Sequence, residues 1–271
     1  MTVGSDKVFA GSVPELYDKL MVPLFFEPYA EDMAARLAGR TPKRVLEIAA
    51  GTGAVTRELA ATLPVGSQLV ATDLNQAMLD QAGAIGTARP VEWRQADAMQ
   101  LPFPDDTFDV VVCQFGAMFF PDRAKAFSEA RRVLRPGGHC IFNVWDRIEE
   151  NEFADVVTRA LEELFPNDPP RFLARTPHGY HDRSVIDRDL RGGGFGEPAA
   201  FTTVTARSRA ESARIPAIAY CEGTPLRSEI EQRSSSGLQR ATDAAAEALT
   251  ARFGSGAVDG KIQAHVVSVR R

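Results

Sequence analysis

The sequence predicts an α/β protein built on a doubly wound, mostly parallel sheet, and three observations predict it. Short apolar runs alternate with amphipathic helical stretches between Arg44 and Val144, the pattern of repeated βαβ crossovers. The first run, Val45-Leu46-Glu47-Ile48-Ala49, leads into a glycine turn at Gly51 and Gly53, which reads as buried strand, turn and helix. Acids, Asp73 and then Asp97, close the second and third runs, at the carboxyl ends of strands where such sheets bind their ligands.

The chain has 271 residues, enough for one sizeable core carrying an insertion. It is 44% apolar and 25% charged, the balance of a soluble globular protein. A net charge of −5 gives no support to a nucleic-acid partner. No apolar run approaches the roughly 20 residues of a membrane span, and MTVGSDKVFAGS lacks the basic and apolar regions of a secretion signal. Cys113, Cys140 and Cys221 form no CxxC pair, so a cytoplasmic protein without a disulfide framework is expected. The oligomeric state is not set by the sequence.

Taken in order, the stretch from about Val13 to Leu37 reads as helical pieces bearing Tyr17, Phe25, Phe26 and Tyr29. Pro14, Pro23 and Pro28 are expected to break it into short segments. It serves as a lid, or its aromatics pack on the sheet; both readings stand. The glycine turn opens a helix from Val55 to Leu63, and Leu69-Val70-Ala71 forms the second strand. Asn75 is a helix cap by its position. Val91 to Ala96 alternates like a third strand, and FDVVVCQF, Phe108 to Phe115, reads as a central parallel strand. Asp122 caps a helix that Pro136-Gly137-Gly138 is expected to stop, and His139 to Val144 is the fifth strand. Glu152 to Phe165 and Asp182 to Leu190 read as helices. Ala199 to Thr205 and Ile262 to Val269 are the sixth and seventh strands, separated by helical stretches at roughly 210–221 and 225–253. Arg131-Arg132 and Arg270-Arg271 read as solvated surface charge.

The turn chemistry weighs two ligand classes. A dinucleotide fingerprint needs a third glycine where this chain has Thr56, and Glu47 would set negative charge beside a pyrophosphate. The same carboxylate suits a ligand carrying ammonium and sulfonium cations, as S-adenosylmethionine does. Asp73, placed to bind both ribose hydroxyls, fits either class.

These blocks resemble a class I S-adenosylmethionine-dependent methyltransferase of the methyltransferase type 11 family. VLEIAAGTG, ATDLNQAML, QADAMQLPFPDDTFDVVVCQF and EARRVLRPGG carry the resemblance over about residues 43 to 146. Ala49 departs from the pattern, since many members have glycine there. The resemblance implies a Rossmann-like, seven-stranded, mostly parallel sheet with helices on both faces. It implies S-adenosylmethionine as cofactor, S-adenosylhomocysteine as product and no metal. By position, Glu47, Ala49, Gly51 and Gly53 would border the methionine part, Asp73 the ribose, and Leu74 and Met78 the adenine. Asp97 would reach the adenine amino group beside Ala98, and Gln114 and Phe115 would face the reaction centre.

Methyl transfer from a sulfonium needs chiefly positioning and exclusion of water, and no general base follows from a motif. Tyr17 and His181 are the candidates. His178 and His181 in HGYHD invite a metal, yet a third and fourth ligand are not evident. Tyr17, Phe26, Met118 and Phe119 are candidate substrate-pocket residues. The expected organisation is a single methyltransferase domain over 1–271. It has an N-terminal helical arm or lid at 1–42, a core at 43–207 and 260–271, and a helical insertion at 208–259 as a possible substrate cap. The expected function is methylation of a small molecule on oxygen, carbon or sulfur. The alternatives are a nicotinamide-dependent (NAD(P)) oxidoreductase and a non-catalytic S-adenosylmethionine-binding member of the fold.

Overall fold

The computed structural model describes residues 13–234 and 236–271. The first twelve residues of the expected N-terminal arm therefore lie outside the described residues, as does Ser235. From Val13 to Leu37 the arm is helical: α1 (Val13–Leu16), a π-helical stretch Tyr17–Phe26, and α2 (Glu27–Leu37). The prolines do not break it, contrary to the sequence reading. Pro23 sits inside the π-helical stretch, whose wide turns already forgo the i→i−4 bond that a proline would destroy. Pro28 falls in the first turn of α2, where a missing N–H costs nothing.

Seven strands form one sheet in the order β3-β2-β1-β4-β5-β7-β6. They are β1 (Arg44–Ile48), β2 (Gln68–Asp73), β3 (Glu92–Gln95), β4 (Phe108–Gln114), β5 (Leu134–Trp145), β6 (Ala200–Ala210) and β7 (Val258–Arg270). β1 pairs in parallel with β2 and with β4, β2 with β3, and β4 with β5. β7 runs antiparallel to β5: Gly137 N–H donates to the Arg271 carbonyl, Arg271 N–H to that of Gly138, and Asp146 N–H to that of Gln263. The strand order reverses between β1 and β4, the switch point where an open α/β sheet presents its crevice. Val45, Leu46, Val111 and Val112 at that centre are fully buried, which is why these strands read as unbroken apolar runs.

The connecting helices are α3 (Ala54–Thr62), α4 (Gln76–Ile85), α5 (Arg123–Val133), α6 (Glu152–Leu164), α7 (Phe172–Arg175) and α8 (Arg183–Gly192). The Asp122 side chain caps α5 by accepting from Lys125 N–H, and Asp182 caps α8 by accepting from Ser184 and Val185 N–H, as their positions predict. One boundary differs from the sequence reading. Pro136-Gly137-Gly138 does not lie between helix and strand but inside β5. The β4–β5 register slips between Phe108 and Val110 there, and Gly137 takes φ +79°. The glycines absorb a bulge rather than end a helix.

Contacts divide the described chain into two compact units. One comprises Glu27–Val144, Tyr180–Thr203 and His265–Arg271. The other comprises the described residues as far as Phe26, with Trp145–Gly179 and Val204–Ala264. This second unit holds the remaining helices, α9 (Arg214–Glu222), α10 (Leu226–Arg233) and α11 (Gly237–Phe253). The longer helical run expected at 225–253 is thus two helices, one ending at Arg233 and the other opening at Gly237. Aromatic packing knits this unit: Phe25 lies 4.7 Å from Tyr220, and Phe153 meets Phe253 edge-on at 5.0 Å.

Candidate functional site

The candidate site lies at the carboxyl ends of β1, β2, β3 and β4, within the unit that contains them. Beyond β1 the backbone turns left-handed at Ala49 (φ 55°), Gly51 (φ 55°) and Gly53 (φ 83°). Gly53 is also needed for space, because a Cβ there would stand 3.1 Å from the Trp93 ring and 3.3 Å from Ala82. It opens α3 without any side-chain cap. The first N–H groups of that helix are therefore left to a ligand or solvent.

Two buried carboxylates organise the turn. Asp73, 7% exposed, accepts from Gly51 N–H through Oδ2 at 2.9 Å and from Asn75 N–H through Oδ1 at 2.8 Å. Burial raises its pKa and the Asn75 and Gly51 N–H groups pull it back. Oδ1 is the more crowded oxygen, so Oδ2 is the better placed to accept from a hydroxyl. Asn75 stands at the cap position of α4, but its side chain makes no cap bond. It turns to Asp73 Oδ1 instead, at 3.4 Å. Glu47, 1% exposed, accepts from the Thr56 hydroxyl at 2.5 Å. Thr56, which breaks the dinucleotide fingerprint, is thus the partner of the buried carboxyl. Burial pushes the Glu47 pKa to about 8 against the Thr56 hydrogen bond, so near neutral pH the carboxyl is largely protonated until a cation arrives.

The other expected cofactor residues are brought to the same edge. Leu74 is 43% exposed, unusual for a leucine, whereas Met78 and Ala98 are buried. Asp97 Oδ1 accepts from Met99 N–H at 2.8 Å, so it also shapes its own turn. At the end of β4, Phe115 is left-handed (φ 52°) and meets Tyr29 edge-on at 5.2 Å. Asn143, fully buried on β5, holds this end. Its Oδ1 accepts from Phe115 N–H at 2.9 Å and its Nδ2 donates to Gln114 Oε1 at 3.3 Å. Sequence reasoning missed Asn143, although an amide inside the apolar run CIFNVW was the available signal. It also misread Arg132. Though partly exposed, that guanidinium donates to the Leu101 and Phe103 carbonyls, to Asp105 and to Glu129, pinning the loop after Asp97. Arg271 likewise is tied to Asp106 and to the Leu134 carbonyl.

The acceptor-side expectations fare unevenly. Met118 is 2% exposed, with its carbonyl accepting from Arg123 and the Arg123 guanidinium 4.1 Å from the Tyr180 ring centre. Phe119 is half-buried. Tyr17 and Phe26 belong to the second unit, where they stack at 5.1 Å and Phe26 packs beside Trp145. His181 is half-buried in the first unit. His178 is buried in the second, its Nδ1 2.9 Å from the Asp146 carbonyl. Among the described residues no group of three His, Cys, Asp or Glu side chains could hold a metal.

A strand order reversing at β1/β4 and a left-handed glycine turn followed by a strand-end acid give the chain a Rossmann-like, methyltransferase-type fold. Comparison with known proteins points the same way. The Methyltransf_11 model, described as a methyltransferase domain, matches residues 46–142, so over that segment the chain is similar to this methyltransferase family. It is 32% identical over 155 residues to the ubiquinone/menaquinone biosynthesis C-methyltransferase UbiE of Marinomonas, covering 52% of this chain and 62% of that one. It is 42% identical over 104 residues to the demethylmenaquinone methyltransferase of Thermus thermophilus, covering 38% of this chain and 47% of that one. The matches thus span less than two thirds of the length of these curated relatives.

Two solved structures share the fold. YcgJ from Bacillus subtilis aligns with a TM-score of 0.57 at 18% identity, covering 90% of this chain and 98% of that one. A phosphoethanolamine N-methyltransferase 2 of Haemonchus contortus, solved with phosphomonomethylethanolamine and S-adenosylhomocysteine, aligns with a TM-score of 0.56 at 18% identity, covering 94% of this chain and 56% of that one. The oxidoreductase alternative finds no support in these matches.

Proposed function

We propose that this chain transfers the methyl group of S-adenosylmethionine to a small-molecule acceptor. The observation that carries the reading is the arrangement of Glu47, the Gly51–Gly53 turn and Asp73 around one crevice. The residues fit the cofactor: Gly51 and Gly53 carry no Cβ, Glu47 can become the counter-charge of a cation, and Asp73 offers Oδ2 to a hydroxyl. When bound, the cofactor would supply an electrophilic methyl group on a sulfonium leaving group. The chain's own work is then positional. Glu47 answers the cationic end, Asp73 fixes the ribose while pinning Gly51, and Leu74 and Met78 flank the base beside Asp97 and Ala98. Gln114 and Phe115, held by Asn143, border the transfer position.

The curated relatives methylate carbon in quinone biosynthesis by their names, which makes an electron-rich carbon of a small aromatic ring the first acceptor to test. Oxygen and sulfur acceptors come next. Tyr17 and His181 remain the proposed proton acceptors, to be separated by the pH–rate profiles of Tyr17→Phe and His181→Gln. We place the protein in the cytoplasm, in keeping with three free, buried thiols.

The deciding experiment is calorimetric titration with S-adenosylhomocysteine, followed by turnover of S-adenosylmethionine over a panel of phenols, quinols and thiols. Micromolar binding with product formation supports the reading. Binding without turnover on any acceptor favours the non-catalytic member, and tighter binding of NADH than of S-adenosylhomocysteine overturns both.

A further inference from the structure

The amino-terminal ends of β1, β4 and β5, opposite to the glycine turn, carry a second charged crevice that methyl transfer does not use. It is a cleft of about 280 Å3, lined among others by Arg40, Asp109, Arg135, Gly137 and His139. All of these residues, and Arg270, lie in the unit that holds the cofactor edge. Arg270 closes one side: a Cβ at Gly137 would stand 3.2 Å from its Nη2 and 3.7 Å from its Nε. The guanidinium therefore lies against the bare glycine, and the Pro136-Gly137-Gly138 bulge leaves the floor open.

The charges in the cleft do not cancel. Asp109 is fully committed, because its Oδ1 is paired with Arg135 at 2.8 Å and its Oδ2 accepts from the N–H groups of Lys43 and Arg44 at 2.7 and 2.8 Å. Arg40 spends only Nε, on the Arg36 carbonyl at 3.2 Å. Neither Arg40 nor Arg270 is ion-paired with a carboxylate among the described residues. His139, half-buried, has its pKa lowered by burial and then by Arg40 and Arg270. Glu197 is the carboxylate that opposes this, with the smallest effect. Arg40 and His139 thus line a cleft whose Gly137 lies against Arg270, and the local carboxylate there is already neutralised. Planar guanidinium forks match the paired oxygens of phosphate-type anions.

We propose that this cleft is a second ligand site, which takes a tetrahedral oxyanion of the phosphoryl class between Arg40, Arg270 and His139. The anion relieves the repulsion between the two guanidinium groups and favours the protonated imidazole, so occupancy rises as His139 gains its proton. The group comes from a free phosphorylated metabolite or from an anionic lipid headgroup, and the two sources are separable.

The test follows the His139 ring and the Gly137 and Gly138 amides by NMR while inorganic phosphate or sulfate is added at constant ionic strength. Sulfate keeps its charge across the pH range, so its tighter binding at lower pH reports His139 alone. Saturable shifts are expected, weakened at least about tenfold in Arg40→Gln/Arg270→Gln, and a flat sulfate pH profile in His139→Gln. The arginines are exposed or half-buried, and an unchanged thermal midpoint shows that the double variant still folds. Co-sedimentation with phosphatidylcholine vesicles containing phosphatidylglycerol, lost in the double variant, assigns the site to a lipid headgroup. Phosphate binding without vesicle binding assigns it to a metabolite. Shifts no larger than those from sodium chloride at equal ionic strength, or equal in the double variant, overturn the site. S-adenosylmethionine takes no part in the measurement, so its outcome is independent of the methyltransferase reading.

Discussion

The cofactor edge and the helical unit are built by opposite means. At the cofactor edge the decisive groups are polar and buried: Glu47 on Thr56, Asp73 on Gly51, and Asn143 on Phe115. Several backbones there are left-handed, including the non-glycine Ala49 and Phe115. In the helical unit the decisive groups are apolar rings, with Phe25 against Tyr220, Phe26 beside Trp145 and Phe153 against Phe253. The first arrangement spends stability on fixed donors and acceptors aimed at one ligand. The second is made stable by burial and dictates no ligand.

The largest expected effect separates stability from binding. Phe25 is 2% exposed, and Phe25→Ala is expected to cost about 3 kcal/mol of unfolding free energy by chemical denaturation. Affinity for S-adenosylhomocysteine, measured where the variant is folded, should change less than about twofold. A large loss of cofactor affinity would break the division between the two regions. The converse comes next in size. Asp73→Ala and Gly51→Val are each expected to weaken cofactor binding at least about tenfold, or 1.4 kcal/mol, by calorimetry. Asp73→Ala removes the acceptor that pins Gly51, and valine resists the φ of 55° at Gly51.

Glu47 sharpens the contrast through pH. Its folded pKa of about 8 lies above the ordinary 4.5. Between those values the folded chain holds a proton that the unfolded chain has released. The stabilisation is therefore complete below the ordinary value and is lost as pH rises towards about 8. Burial raises the Asp73 pKa as well, which adds a loss of the same sign. Urea midpoints for Glu47→Gln should fall less steeply across this window than those of the wild type. Binding of S-adenosylmethionine near pH 7 should release protons in the wild type and fewer in Glu47→Gln, measured in buffers of different ionisation enthalpy. Equal release in both would show that Glu47 does not answer the cation.

The same contrast explains what was legible in the sequence. Strand runs such as FDVVVCQF and the acids at strand ends speak locally, because their spacing alone sets their place. The sheet followed from them, and with it the strand-end edge that carries the candidate site. Asn143 and Arg132 could not be placed that way, since all their partners but Glu129 lie 27 to 31 residues away and only the fold supplies them. Pro23 and Pro136 misled for a related reason. A proline marks a break only when the surrounding geometry needs its N–H, and a π-helical turn and a β-bulge do not. In the helical unit the aromatics of the arm were visible, but nothing local says that Phe25 meets Tyr220.

Ala49 offers the smallest and most local test. It holds φ +55°, a conformation that costs an L-residue roughly 1–2 kcal/mol. Glycine would remove that cost and lose about 0.4–1 kcal/mol through the unfolded state. Ala49→Gly should therefore gain about 0.5 kcal/mol in denaturant titrations, with cofactor affinity kept. The Ala49 methyl also explains the bare residue after Phe115: a Cβ at Gly116 would stand 2.5 Å from the Ala49 Cβ and 2.8 Å from Cys113 Sγ. Gly116→Ala alone should thus be destabilising, and Ala49→Gly should recover part of that loss in the double variant, with Cys113 accounting for the remainder. Simple additivity of the two changes would mean that the β1 and β4 loops do not set each other's position. The cofactor edge would then be two independent turns rather than one interlocked cradle.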